Sequence, residues 1–434
     1  MKIDKRNPAL AIILRSRLRF AVLPIALLAL FLGQQLFDPG IPTWVNATQA
    51  VVQPIAVCGP LLAAFAAWDA TDFGRVAARK RMRLSRNGGA AAIASVWLGS
   101  ASWAVLSFAL WATLLLVSQV NNQPWGTITW PWLVSATCAL LAQVSAGAVL
   151  GYFWPTFLAP AVAAVVLFFI NGAVVLIPLL HNQTLLSAAF SQVQQVAFTI
   201  NLPILWAQAL WFTGIAIIGL AIALGSLSAP TKTKINVLLT GTTAAAAGLA
   251  LIVTSPGGFF EYTHSGWDYV CSKITKICVH PALEKAIPQI DDALEPTLAH
   301  IERTNFSASR YEWTNRGLLG EPSSGAIAFH LDSLSPGWKQ NLRLELSRDL
   351  LTAGSSSGGP CDKAPGDADP GAFAGLKSII AAWLADAPEA ALPNGAQEIG
   401  AKSRFDKLSE IDRQSWLFAH TNAICTSTLN SDDF

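Results

Sequence analysis

For most of its length this chain keeps its apolar residues in unbroken runs rather than alternating them with polar ones. The runs cover residues 20–37, 47–69, 91–120, 132–153, 156–180, 204–227 and 235–254. A helix needs roughly 17–25 apolar residues to cross a bilayer, so the pattern predicts seven transmembrane helices. After a breaker cluster at Ser255, Pro256, Gly257 and Gly258 the pattern changes to short elements with mixed faces. Helical spacing is expected over residues 281–303, interrupted near Pro288 and Pro296, and again over 339–351, 372–384 and 405–425. Alternation over residues 326–331 predicts a strand, and the Gly-, Ser-, Pro- and Asp-rich stretch 354–371 predicts a loop. The expected fold is a polytopic α-helical membrane protein of about seven spans joined to a mainly helical α+β domain. No internal repeat is visible.

Composition sharpens this. Hydrophobic residues make up 53% and charged residues 13%, against a charged share near ~25% in soluble domains. No Asp, Glu, Lys or Arg occurs between Arg86 and Lys232, nor over residues 20–37 and 39–68. The net charge of +2 sums two unlike regions and gives no reason to expect a nucleic-acid partner. The basic head before residue 20 also fits a signal peptide, but no small-residue cleavage site follows and the apolar run is long enough to span.

Charge sets the expected orientation. Lys and Arg cluster in residues 1–19, in 71–89 and at Lys232 and Lys234, whereas 38–46, 121–131 and 181–203 contain neither. Cytoplasmic loops carry the excess of Lys and Arg, so the N-terminus is expected inside and, after seven spans, residues 258–434 outside the cytoplasm. Cysteine usage agrees, because Cys271, Cys278, Cys361 and Cys425 form an even set in that region. Four cysteines admit three pairings. The favoured reading is Cys271 with Cys278, closing a short loop, and Cys361 with Cys425, tying the end of the domain to its middle; four unpaired thiols are the alternative. Cys58 and Cys138 sit within spans as small apolar fillers.

Several chemistries find no support in the residues. No G-x-x-x-x-G-K-[ST] occurs, so ATP hydrolysis, if used, belongs to another chain. The spans lack ionisable groups apart from Asp69 at one end, which disfavours ion-coupled transport. No H-E-x-x-H exists for zinc; His280 and Glu284 stand four apart, but a capping His-Pro and a solvated first-turn carboxylate explain them as well. The Ser-Ser-Gly segments at 323–325 and 355–359 lack the setting of a nucleophile elbow. The most charged inward connection carries Asp72, Arg75, Arg79, Lys80, Arg81, Arg83 and Arg86. It reads equally as a docking element for a cytoplasmic protein or as a cationic loop resting on anionic lipid.

An amphipathic arm at 7–19, this charged 72–86 segment between the second and third spans, and a polar outer stretch at 181–203 punctuated by Leu185, Leu186, Phe190, Val196 and Phe198 together resemble the membrane subunits of type-2 ABC exporters. The resemblance covers residues 7–227 and rests on layout; a seventh span and an outer domain depart from the basic six-span pattern. Cys271, Cys278, His280 and Pro281, with Trp416, His420 and Cys425, also look like the outer C-terminal regions of actinobacterial permeases, some of them similar to degenerate metallopeptidases. The resemblance implies an interfacial arm (1–19), a six-helix core (20–227), a turn with a seventh helix (228–257) and an extracytoplasmic domain (258–434) in a bacterial plasma membrane. It implies an export permease, not itself an enzyme, that moves an amphiphilic, lipid-like or peptide cargo. Its partners would be a separate ATPase chain holding ATP and magnesium, a second permease subunit and membrane lipid; no cofactor or metal is expected on this chain. Asp72, Arg75, Arg79, Lys80, Arg81, Arg83 and Arg86 would couple to the ATPase. The alternatives are a membrane-anchored extracytoplasmic ligand- or partner-binding protein and a membrane-tethered hydrolase.

Overall fold

The computed structural model describes residues 14–35, 43–76, 78, 90–122, 124–176, 198–225, 231–255, 260–262, 268–304, 306, 308–314, 326–331, 334, 337–352, 370–387, 396–426 and 428–434. The chain divides into two compact units, with the division after Glu261.

The first unit is a helical bundle of α1 (Leu18–Gln34), α2 (Trp44–Val52), α3 (Ile55–Gly74), α4 (Ala90–Val120), α5 (Trp130–Phe153), α6 (Ala159–Leu176), α7 (Leu202–Gly225) and α8 (Thr231–Thr254). Two three-residue strands, β1 (Phe198–Ile200) and β2 (Phe260–Tyr262), pair as a small sheet. Five helical segments among the described residues are long and apolar enough to cross a membrane: Trp44–Gly74, Ile93–Val120, Trp130–Phe153, Leu202–Leu224 and Ile235–Thr254. Helices α1 and α6 are apolar but shorter. The span expected at 47–69 is two helices on one path. Pro54 has no N–H to continue the ladder, so α2 ends and α3 restarts with the N–H of Cys58 on Pro54 O at 2.8 Å.

Large apolar side chains point away from the bundle as well as into it. Along α1, Phe20, Leu23, Leu27 and Phe31 are each more than half exposed while Ala21, Ile25, Ala26 and Ala29 are buried. Small residues therefore make most of the buried face, as expected where lipid is as apolar as the core. A Cβ built on Gly147 or Gly151 of α5 would lie 2.1 Å from Ala63 O or 2.0 Å from Ala67 O of α3. Likewise a Cβ on Gly248 of α8 would meet Trp211 N at 2.5 Å on α7. Polar side chains add a few fixed points: Trp111 Nε1 donates to Val51 O at 3.0 Å and Ser135 Oγ to Gln208 Oε1 at 3.2 Å.

The second unit has a four-stranded sheet in the order β3 (Val270–Cys271), β4 (Ile277–Val279), β5 (Arg310–Thr314) and β6 (Ala326–His330). Strands β3 and β4 form an antiparallel hairpin, with Cys271 opposite Cys278; β4, β5 and β6 run parallel. Between β4 and β5 the chain makes a 3₁₀ turn (Pro281–Ala286) and α9 (Ile287–Ile301), the crossover a parallel pair requires. Helix α9 buries Ile290, Leu294, Leu298 and Ile301, one stripe at helical spacing, against a core that includes Ile277, Phe329, Leu346, Ile380 and Phe405. Helices α10 (Trp338–Thr352), α11 (Pro370–Leu384), α12 (Ala396–Lys407) and α13 (Glu410–Cys425) follow. The single helix expected over 405–425 is divided between α12 and α13, because Ser409 takes the extended N-cap conformation and its hydroxyl accepts the N–H of Asp412. The sheet is larger than the one strand expected from alternation, since β3, β4 and β5 are too short or too buried to alternate.

Candidate functional site

The polar residues of the first unit gather where the chain enters α1 and leaves α3. Helix α1 begins at Leu18 with Arg17 as N-cap, and Arg17 makes no side-chain cap to its own helix. The missing acceptor is supplied from α3. Asp69, only 9% exposed, accepts the backbone N–H of Arg17 at 2.9 Å, the hydroxyl of Ser16 at 2.5 Å and, at 3.4 Å, the hydroxyl of Ser100 on α4. A carboxylate at a helix N-terminus meets orphan N–H groups and the positive end of the dipole, so Asp69 caps α1 from another helix.

Arg17 completes the latch from the other side. Its guanidinium donates to Trp68 O at 3.0 Å and to Asp72 Oδ2 at 2.7 Å, and lies 5.0 Å over the Trp68 ring. Asp72 is also 3.9 Å from Arg75. The Arg17–Asp72 pair is part-exposed and contributes at most about 1 kcal/mol by itself. Hydrogen bonds onto the buried Asp69 carboxylate are worth more, about 1.5–3 kcal/mol each.

One residue beyond Asp69, Ala70 and Phe73 line a cavity between α3, α4, α5 and α7. Its walls also include Val96, Trp97, Tyr152 and Leu220, and it is narrow and partly open, with room for little more than a water-sized group. A polar contact on its wall is Trp97 Nε1 donating to Ser145 Oγ at 2.6 Å. A small apolar group fits this chemistry; an ion does not.

Of the residues expected to couple to an ATPase, Asp72 and Arg75 are placed here, on and just past the last turn of α3. Arg79, Lys80, Arg81, Arg83 and Arg86 lie outside the described residues, as do most of the interfacial arm and the 181–197 part of the outer stretch. Sequence reading placed Asp69 at a helix end but missed its partners Ser16 and Arg17. Its signal was the lone carboxylate just inside an apolar run; a partner more than fifty positions away leaves no spacing to find.

In the second unit Cys271 is bonded to Cys278. Cys425 is also disulfide-bonded, and its expected partner Cys361 lies outside the described residues. Cys58 and Cys138 are free thiols. His280 and Glu284 do not share a site. His280 is fully buried, its Nδ1 accepts the N–H of Ala282 and its ring meets Trp313 edge-on at 5.8 Å, while Glu284 is exposed. Burial pushes the His280 imidazole down to about 4. Two histidine–carboxylate pairs, His300 with Glu410 and His330 with Asp349, stand at 3.8 Å. Among the described residues no three His, Cys, Asp or Glu side chains gather to hold a metal ion. Comparison of the chain with family models, with curated proteins and with solved structures finds no match.

Proposed function

We propose that this protein is the membrane subunit of an ABC-type exporter that works with a separate ATPase chain and a second permease subunit. In this reading the basic end of the bundle faces the cytoplasm, seven helices span the membrane and the second unit stands outside. The observation that carries the proposal is the latch at Asp69. It joins the entry of α1 to the exit of α3 at the point where the cationic 72–86 segment begins, so a push on that segment reaches two helices and the wall of the apolar cavity together. ATP-driven closure of the ATPase pair would supply the push. Charge-free walls favour an amphiphilic, lipid-like or peptide cargo.

The test is purification of the tagged chain from its native membrane. An ATPase chain should co-purify, and reversing the charges of Arg79, Lys80 and Arg81 should remove it while the permease remains folded. An ATPase that stays bound to the reversed variant, or none bound to the parent, refutes the proposal. The second unit's own continuous core supports a second reading, a membrane-anchored binding protein without transport. That reading requires ligand binding by the full chain with no ATPase present.

A further inference from the structure

The β3–β4 hairpin ends in Ser272, Lys273, Ile274, Thr275 and Lys276. Ile274 is 83% exposed, and Lys273 and Lys276 beside it are exposed as well. The tip is nonetheless rigidly built. The Cys271–Cys278 bond closes its base, and Lys276 holds a positive φ of 59° to turn the chain. Ser272 Oγ accepts the N–H groups of Ile274 at 3.1 Å and Thr275 at 3.4 Å, and donates to Asp291 Oδ2 on α9 at 2.7 Å. The Thr275 hydroxyl donates to the other oxygen of the same carboxylate. Asp291 thus braces the loop from beneath, presenting an apolar side chain between two cations.

We propose that this tip docks on the surface of an anionic phospholipid bilayer, with Ile274 entering the interfacial layer and Lys273 and Lys276 meeting lipid phosphates. Charge selects this occupant. The exposed Ile411 on α13 lies between Glu410 and Asp412 and would be repelled by the same surface, whereas both charged residues within the hairpin tip are cations, set against the single Asp291 carboxylate beneath it. Chain length supports it too. Residues 255–269 separate the end of α8 from β3, a connection of about 50 Å at full extension, so β3 stays within that reach of the end of a helix long enough to cross a membrane. Each lysine near such a surface favours binding about fivefold, and the pair about thirtyfold. The proposal holds for either orientation of the chain and requires neither ATPase nor transport.

The experiment uses the full chain in nanodiscs containing brominated phosphatidylglycerol or brominated phosphatidylcholine. Ile274→Trp adds an indole at the tip, read as the difference from the parent's emission. Bromine should quench that added emission in anionic discs, and quenching should fall severalfold in zwitterionic discs and with Lys273→Gln and Lys276→Gln. Mass spectrometry of the Cys271–Cys278 peptide confirms that the hairpin is intact in each variant. Equal absence of quenching in every disc overturns the proposal, as does quenching that ignores both headgroup and lysines. An emission shift that depends on the number of chains per disc instead identifies a second copy as the partner and overturns it as well.

Discussion

Replacing Ser16 or Asp69 tests the latch quantitatively. Ser16→Ala deletes a 2.5 Å hydrogen bond onto a buried carboxylate, which costs about 1.5–3 kcal/mol. Asp69→Ala leaves the Ser16 hydroxyl, the Arg17 N–H and, more weakly, the Ser100 hydroxyl without their acceptor; the two short bonds alone cost about 1–3 kcal/mol each, or roughly 2–6 kcal/mol together. For a unit of some 150–250 residues 1 kcal/mol moves the midpoint by about 2–4 °C, so Ser16→Ala should lower Tm by about 3–12 °C. The decisive quantity is the coupling between the two positions. Once Asp69 is alanine, Ser16→Ala has no charged bond left to remove, and the double variant should be more stable than additivity predicts by about 1–3 kcal/mol. Thermal unfolding of the four purified proteins in one detergent gives the cycle. Additive losses, with coupling below about 0.5 kcal/mol, would show that Asp69 does not hold the entry of α1.

Two further outcomes follow from the packing and the buried imidazole. Gly151→Ala puts a methyl group against Ala67 O, forcing α3 and α5 apart at a cost of about 1–3 kcal/mol or more; Gly400→Ala, whose Cβ would meet only Arg404 at 3.5 Å, should leave Tm unchanged or raised. Equal Tm values for both variants would refute the close contact. His280, held near 4 in the folded state against about 6.5 unfolded, favours the fold fully above pH 6.5, and on the order of 3 kcal/mol of this is lost as pH falls towards 4. His280→Asn keeps an acceptor for the Ala282 N–H and should flatten the Tm profile between pH 6.5 and 4; an unchanged slope would assign the acid sensitivity elsewhere.

The large features of the bundle were legible because each apolar run is a local property. Five of the seven expected spans are helices of membrane-crossing length among the described residues, and Pro54 marks the break that divides one of them. The contacts between helices were not legible. Gly147 and Gly151 matter because Ala63 and Ala67 lie opposite, and nothing within α5 specifies that partner. In the second unit the Cys271–Cys278 bond was anticipated because a loop that short brings its ends together in any hairpin. Of the parallel strands, β6 was anticipated from its alternation, whereas β4 was missed because Ile277, Cys278 and Val279 are all buried and give no period of two. The same holds at the candidate site, where Asp69 and Asp72 stood out as charges at an apolar boundary. Their tie to Ser16 and Arg17 is purely tertiary.

The proposed function requires the basic end of the bundle and the second unit to lie on opposite sides of the membrane. Labelling with a membrane-impermeant maleimide tests this directly, in a background carrying Cys58→Ala and Cys138→Ala to remove the free thiols. Val76→Cys, at a position 83% exposed beside the latch, should react only after permeabilisation, and Asn430→Cys, also exposed, should react in intact cells. Labelling of position 76 in intact cells, or protection of position 430 until the membrane is opened, would contradict it.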